Sequence, residues 1–158
     1  MQNLLIRPYH PDDEKDVIRL WDECHLITRK NNPARDIARK LKVNPEWFLI
    51  GAIGGKLVAS CMVGYEGHRG WINYLAVLPA YRHHGIATQL MREAEKVLRV
   101  AGCPKINLQI RETNTDVILF YKSIGFTKDP VLSMGKRLTS DEPMSAIQRE
   151  TIGTEGND

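Results

Sequence analysis

Residues 82–87 read Arg-His-His-Gly-Ile-Ala and combine cationic side chains with a glycine that precedes a stretch of helical periodicity. Apolar residues recur along one face of that helix, at Ala87, Leu90, Met91, Ala94, Val97, Leu98 and Ala101. The helix therefore begins at the glycine, where free backbone N–H groups and the helix dipole attract an anion. Gly85 lets the backbone approach that anion without a Cβ atom. The pattern predicts a phosphate-binding loop, with an ordinary strand-to-helix turn as the alternative.

The histidines and cysteines do not predict a metal site. His83 and His84 are adjacent in the chain, and adjacent side chains of such a loop rarely converge on one metal ion. Cys24, Cys61 and Cys103 are odd in number and lack both CxxC and Cys-His spacing, so neither a zinc site nor a disulfide framework is indicated. We expect three reduced thiols in a cytoplasmic protein.

Composition limits the class of protein that holds this loop. The 158 residues, 42% of them hydrophobic, suffice for one domain with a sizeable core. The net charge of +3 comes from scattered Lys and Arg among nearly as many acids. This distribution favours one anionic ligand over a nucleic-acid track, which needs a concentrated basic face. We expect no signal peptide, because the first residues hold only three consecutive apolar side chains before a charge. No apolar run approaches the roughly 20 residues of a membrane span, so no membrane partner is expected.

The elements that precede the loop are predicted in a mixed α/β order. A first strand over residues 4–7 is followed by two helices, the first of them starting at Pro11. Strands over 47–53 and 56–65 flank Gly54-Gly55, whose tolerance of positive φ angles predicts a type I′ hairpin. The two helices are expected to bury one stripe each, formed by Val17, Leu20, Trp21 and Cys24 and by Ile37, Ala38 and Leu41.

The elements around and beyond the loop complete the prediction. A strand over residues 71–77 leads into the loop, and Gly102 fits the C′ position of the helix that follows. A strand over 105–110 and a helix capped by Asn114 or Thr115 come next, with one or two closing strands expected within 127–138. We predict one domain over residues 1–138 and a polar, frayed or disordered tail over residues 139–158.

The order of these motifs resembles the GCN5-related N-acetyltransferase (GNAT) superfamily. The likeness rests on residues 75–87, with their R-x-x-G-x-A signature, on Asn114, and on the run from Tyr121 to Phe126 that ends in Gly-Phe. It covers roughly residues 4–138. Segments 64–70 and 133–138 are most similar to small bacterial single-domain members of the YpeA type.

The resemblance implies an α/β fold, the acyl-CoA N-acyltransferase fold, and a position for acetyl-CoA. A mixed central sheet of about six to seven strands with flanking helices is expected, its fourth and fifth strands splayed around acetyl-CoA. No metal is required. The residues implied for acetyl-CoA are Leu75, Ala76 and Val77 at the acetyl carbonyl and pantetheine, Arg82, His83, His84, Gly85, Ile86, Ala87 and Thr88 at the pyrophosphate, Asn114 at the pantetheine, and Tyr121 at the thioester sulfur.

The activity implied is transfer of an acetyl group from acetyl-CoA to a primary amine by direct attack in a ternary complex. Tyr121 is the implied general acid, because a phenol with a pKa of about 10 stays protonated until a thiolate of pKa about 8.5 appears. A half-buried core aromatic is the alternative for Tyr121. The acceptor, a small molecule or a protein amine, is not specified. A monomer and a homodimer through the terminal strands both remain open.

The general base is predicted less directly. In ribosomal-protein N-terminal acetyltransferases of similar pattern a glutamate stands in the fifth strand, but this chain has Gln109, which weakens that reading. Glu66 precedes the fourth strand and is the expected base, acting through water with His68 behind it. An exposed polar turn is the alternative for both. A non-catalytic acyl-CoA-binding or sensing module is the alternative function, and a nucleic-acid-binding protein is the weakest one.

Overall fold

A five-stranded sheet forms the centre of the protein in the computed structural model, which describes residues 3–146 and 148–150. Its strands lie side by side in chain order: β1 (Leu4–Pro8), β2 (Phe48–Ile53), β3 (Lys56–Tyr65), β4 (Gly70–Val77) and β5 (Ile106–Asn107). The first four pair antiparallel, whereas β5 runs parallel to β4. The mixed α/β class is confirmed.

Among the described residues, the helices that cover this sheet are α1 (Glu14–Glu23), α2 (Pro33–Lys40), α3 (Ile86–Val100) and α4 (Thr115–Ser123). The indole N–H of Trp21 on α1 donates to the hydroxyl of Ser60 at 2.9 Å. A Cβ atom on Gly70 would lie 2.9 Å from Leu98 of α3. Gly70 pairs with Tyr65, and residues 60 and 65 of β3 point to opposite faces because side chains alternate along a strand. Helices α1 and α3 therefore pack on opposite faces.

The hairpin and the helix end were predicted correctly because both depend on glycines with positive φ. Gly54 and Gly55 have φ of 58° and 79° and connect the paired residues Ile53 and Lys56, as a type I′ turn requires. Gly102 has φ of 82°. Its N–H donates to Arg99, and the next N–H donates to Leu98, so α3 ends in a Schellman motif.

The predicted apolar stripes are only partly buried. Val17, Leu20, Trp21 and Ile37 are in the core, and so are Leu90, Met91, Ala94 and Leu98 of α3. Ala38, Leu41 and Ala101 are exposed, so their predicted inward positions are wrong. Helix α2 buries only Pro33 and Ile37, which are four residues apart. No described helix is long and apolar enough to cross a bilayer.

The closing strands expected within 127–138 do not form, so the sheet has five strands rather than six or seven. Val131, Leu132, Met134 and Leu138 are each at least 79% exposed. Apolar residues favour a strand only where a partner strand and a packing surface receive them, and this segment has neither among the described residues. The strand predicted over 105–110 is likewise limited to Ile106–Asn107.

The beginning of the predicted tail contacts α2. The guanidinium of Arg39 donates two bonds, of 2.7 and 2.8 Å, to the carboxylate of Asp141. The amide of Asn32 donates to the carbonyl oxygen of Glu142 at 2.8 Å. Residues 151–158 lie outside the described part of the chain, and the division at residue 138 stays a prediction.

Candidate functional site

Strands β4 and β5 diverge almost at once. They pair at Gly70 with Ile106 and at Trp71 with Asn107, after which β4 continues to Val77 with no β5 partner among the described residues. A strand edge without a partner keeps free N–H and C=O groups. The divergence was predicted from the family resemblance, and it leaves a cleft in which an extended chain can pair with β4.

A β-bulge lies in the part of β4 that borders this cleft. Ser60 pairs with Ala76 and Met62 with Asn73, so Cys61 alone faces two residues of β4, Tyr74 and Leu75. Tyr74 has φ of 50°, a left-handed conformation that costs an L-residue about 1 to 2 kcal/mol. The hydroxyl of Ser60 donates to the carbonyl oxygen of Tyr74 at 2.9 Å and helps to hold this conformation.

The bulge was not predicted from the sequence. It depends on an extra residue relative to the partner strand, which the sequence of one strand does not reveal. The available signal was a break in alternation, since Ala76 and Val77 are adjacent and both are buried. A continuous apolar run can equally indicate a strand buried on both faces.

The loop predicted to bind phosphate follows directly from β4. After one 3₁₀ turn over Pro79–Tyr81, His83 and Gly85 adopt φ of 64° and 77°, and α3 begins at Ile86. Gly85 is the N-cap residue, so no side chain caps the helix. Among the described residues, no amide N–H from 83–88 donates to a protein acceptor. A Cβ atom at Gly85 would meet nothing within 4 Å, which leaves room for an anion.

Arg82 is exposed, but its guanidinium turns back toward the end of β4. Its Nε–H donates to the carbonyl oxygen of Val77 at 3.1 Å, and its Nη2 lies 3.5 Å from the sulfur of Cys24. Burial raises the pKa of the Cys24 thiol, although Arg82 acts in the opposite direction. The guanidinium thus ties the loop to β4 and α1 and places a positive charge at the loop's first residue. His83 and His84 are exposed.

Tyr121 lies on α4 with its ring buried between Phe120 and Phe126, whose centroids are 5.1 and 5.3 Å away. Its hydroxyl makes no hydrogen bond among the described residues. In the described residues, every fully buried side-chain nitrogen or oxygen has a hydrogen-bond partner. Because the hydroxyl of Tyr121 has none, it is not fully buried and reaches the surface. Burial, and then the nearby thiol of Cys61, raise the pKa of Tyr121. Cys61 is the β3 residue opposite the bulge.

Asn114 occupies the N-cap position of α4. It is exposed, and its side chain makes no capping bond there. Its amide is therefore available to a ligand at that end of the helix. The sequence predicted that Asn114 or Thr115 caps this helix. Asn114 does occupy the N-cap position, but its side chain does not form the expected capping bond.

Glu66 is separated from these residues. It lies in the loop before β4, and the five residue-to-residue steps from Gly70 to Leu75 span roughly 16 Å along the strand. One carboxylate oxygen accepts the N–H groups of His68 and Arg69. Those bonds, the one from Arg69 foremost, lower the pKa of Glu66. The structure therefore brings together the β4 edge, the loop and the start of α3, but it does not bring Glu66 to the bulge.

Gln109 and His68 were the other residues discussed for the general base from the sequence. Gln109 is exposed, and its amide donates to the hydroxyl of Ser133. His68 is exposed in the same loop as Glu66. In the described part of the chain, no group of three or more His, Cys, Asp or Glu side chains is arranged to hold a metal ion.

The chain matches a known protein family. The family model described as "Acetyltransferase (GNAT) family" matches residues 3–126. An acetyltransferase of Sodalis glossinidius is 46% identical over 138 residues, which cover 87% of this chain and 97% of that protein. An uncharacterized N-acetyltransferase of Yersinia pestis is 43% identical over 137 residues, with 87% of this chain and 97% of that protein covered.

Comparison with solved structures agrees. The crystal structure of Ard1 from Thermoplasma volcanium is similar with a TM-score of 0.71 and 25% sequence identity. The similarity covers 78% of this chain and 82% of that one.

Proposed function

This chain belongs to the acetyltransferase (GNAT) family, and on that premise we propose that it transfers the acetyl group of acetyl-CoA to a primary amine. Its activity as an acetyltransferase follows from the family and from relatives that share nearly half of its residues. The donor, the amine acceptor and the residues that act are the proposal. One observation carries it: the open edge of β4 runs directly into an uncapped helix start.

The geometry suits acetyl-CoA, a long molecule with a polar amide arm and a pyrophosphate. Leu75, Ala76 and Val77 lie beyond the last β4–β5 pair, so the backbone groups there that face away from β3 are able to pair with the pantetheine arm as an added strand would. The carbonyl oxygen of Val77 is excepted, since it already accepts a bond from Arg82. The amides of residues 83–88 are able to bind the pyrophosphate at the positive end of the α3 dipole. Each such charge-assisted bond contributes about 1.5 to 3 kcal/mol.

The chemistry requires one bond to form and one to break. The amine nitrogen attacks the acetyl carbon, a backbone N–H at the bulge stabilises the oxygen, and the C–S bond breaks. Tyr121 supplies the proton that the departing sulfur takes up. Its raised pKa supports this role, because the hydroxyl stays protonated at neutral pH and is a donor when the thiolate forms.

An amine must lose a proton to attack. A lysine-like amine with a pKa of about 10.4 is neutral only about once in 2,500 molecules at pH 7, so a base accelerates its reaction. We propose Glu66 for this role, through a chain of water molecules, since its second carboxylate oxygen is exposed and makes no bond to a described residue. Its lowered pKa makes Glu66 a weak base. The alternative is that water alone removes the proton from the amine.

Mass spectrometry of a panel of amines with isotopically labelled acetyl-CoA tests the function. We expect label on at least one amine and release of free CoA in equal amount. Binding of acetyl-CoA without release of CoA across the panel would instead identify a sensing module. Failure to bind acetyl-CoA at all would contradict the proposal.

A further inference from the structure

A cavity separate from the β4–β5 cleft lies between α2 and the segment 137–141. Its volume is about 390 Å³, within the range of small-molecule sites. Its charged walls are Lys30, Asp36, Arg39, Arg137 and Asp141. None of these residues was singled out from the sequence, since they come from three separate stretches of the chain.

The two carboxylates of this cavity are already occupied. Asp36 accepts the hydroxyl of Tyr74 at 2.6 Å and lies 3.3 Å from Arg39. Asp141 accepts two bonds from Arg39, lies 3.9 Å from Arg35, and has a side chain only 6% exposed. A cationic ligand would have to compete with these partners for either carboxylate.

Two cations of the cavity are not occupied in this way. Among the described residues, the side chain of Lys30 makes no ion pair or hydrogen bond. Arg137 helps to lower the pKa of Asp141, but only from beyond ion-pair distance. Both side chains are exposed. The charge that remains for a ligand is therefore positive, and the complementary ligand is an anion.

We propose that this cavity binds a carboxylate carried by the acceptor amine, with Lys30 and Arg137 as its partners. The inference rests on the proposed function. Tyr74 connects the two sites, because its hydroxyl donates to Asp36, which lines the cavity, while its backbone forms the bulge. An acceptor held here by a carboxylate extends its amine past Tyr74 to the thioester. The substrate class is an amine with a carboxylate at a distance, such as an ω-amino acid or an acidic peptide.

Linear ω-amino acids and their carboxamides test this proposal. In 4-aminobutanoate, 6-aminohexanoate and 8-aminooctanoate the amine is remote from the carboxylate, so amide formation changes its pKa little while it removes the charge. We expect kcat/KM for the best acid to exceed that of its amide by about tenfold or more, the effect of one charge-assisted contact. In the double variant Lys30→Ala, Arg137→Ala this ratio should fall to about one.

Lys96→Ala on α3 is the matched control, because it removes an exposed cation far from the cavity. A ratio near one in the unmodified protein, or a ratio that the double variant leaves unchanged, would overturn the proposal. So would a loss of CoA affinity in the double variant, since the two cations would then serve the donor.

A binding measurement separates this proposal from the proposed function. Calorimetric titration of 6-acetamidohexanoate and its carboxamide in the presence of CoA needs no turnover. Preferential binding of the acid, lost in the double variant, supports the cavity even if no amine is acetylated. Equal or undetectable binding of both, together with acetylation of other amines, refutes the cavity and leaves the acetyltransferase proposal intact.

Discussion

The hydroxyl of Tyr74 lies 2.6 Å from a carboxylate oxygen of Asp36 and so joins the bulge of β4 to α2. The amide of Asn31 donates to the same hydroxyl at 2.8 Å, and the ring stacks on Trp21 with centroids 3.8 Å apart. Burial, followed by the bond to Asp36, raises the pKa of Tyr74. Its left-handed backbone is therefore stabilised from the side-chain end as well as through Ser60.

Tyr74→Phe tests how much that bond contributes. The variant keeps the stack on Trp21 but leaves Asp36 and Asn31 without their shared partner. Because Asp36 is partly exposed, we expect a loss of about 1 to 2 kcal/mol in the free energy of unfolding, measured by urea denaturation. Tyr65→Phe is the control, since its hydroxyl makes only a 3.3 Å surface bond. Equal losses in both variants would show that the bond to Asp36 contributes nothing particular.

Tyr121→Phe tests the general acid. Turnover should fall by about 10²-fold or more, while acetyl-CoA affinity changes little, since in the proposed mechanism the hydroxyl acts only on the leaving sulfur. Because the pKa of Tyr121 is raised, the hydroxyl stays protonated up to and beyond pH 10, and the unmodified enzyme should show no loss of kcat/KM between pH 7 and about 9.5. Steady-state rates and a pH profile measure both. An unchanged rate would remove Tyr121 from the mechanism.

Glu66→Gln tests the proposed base without dismantling its loop. The amide oxygen of glutamine is able to accept the same two N–H bonds from His68 and Arg69, so the substitution removes mainly the charge. We expect kcat/KM for lysine-like amines to fall by about 10²-fold. The thermal midpoint should stay the same. A pH–rate profile identical to that of the unmodified enzyme would exclude Glu66.

Gly85→Ala tests the anion site. A residue with a Cβ atom at φ of 77° costs about 1 kcal/mol or slightly more, and the methyl group enters the space above the helix start. Affinity for CoA should therefore fall about tenfold or more, measured by calorimetry. Gly102→Ala carries the same backbone cost at φ of 82° on the far end of α3 and should leave CoA affinity unaltered. Equal affinities in the two variants would argue against pyrophosphate at Gly85.

Asp13→Asn tests the ion pair that closes β1 against α1. Burial alone would raise the pKa of Asp13, but two bonds from Arg7, of 2.7 and 2.8 Å, and one from the N–H of His10 lower it. A lowered folded pKa stabilises the fold above the unfolded value of about 3.9, and this contribution disappears as the pH falls through the folded value. At pH 7 the variant should lose about 1 to 2 kcal/mol, since Arg7 is partly exposed.

The pH dependence distinguishes this ion pair from a simple packing effect. The difference in unfolding free energy between the variant and the unmodified protein should shrink from pH 4 downward. Asp12→Asn, at a side chain that is 92% exposed, is the control and should cost less than about 0.5 kcal/mol. A difference that stays constant with pH would show that the charge of Asp13 is not the cause.

Those parts of the fold that depend on neighbouring residues were predictable from the sequence. The hairpin at Gly54-Gly55 and the end of α3 at Gly102 follow from positive φ angles, and the start of α3 follows from its apolar period. The divergence of β4 and β5 came from the family resemblance instead, because parallel pairing depends on residues far apart in the chain.

The features that were not predicted depend on contacts between residues far apart in the chain, which no local sequence pattern encodes. The bulge at Tyr74 exists only relative to β3, and the bond between Arg39 and Asp141 joins residues that are 102 positions apart. The segment 127–138 shows the opposite error, since its apolar residues suggested strands that have no partner. The place of Glu66 before β4 was predicted correctly, but its separation from the bulge was not, because the bulge itself was not predicted.

The order of the strands has a consequence for the order of folding. Strands β2, β3 and β4 follow one another through a two-residue turn and a short loop, so their contacts are local and form with little loop-closure entropy. Strand β5 reaches β4 only after the whole of α3 has crossed the sheet. The cleft between β4 and β5 is therefore completed last, and a chain emerging from the ribosome acquires its capacity to bind a donor only when this crossover closes.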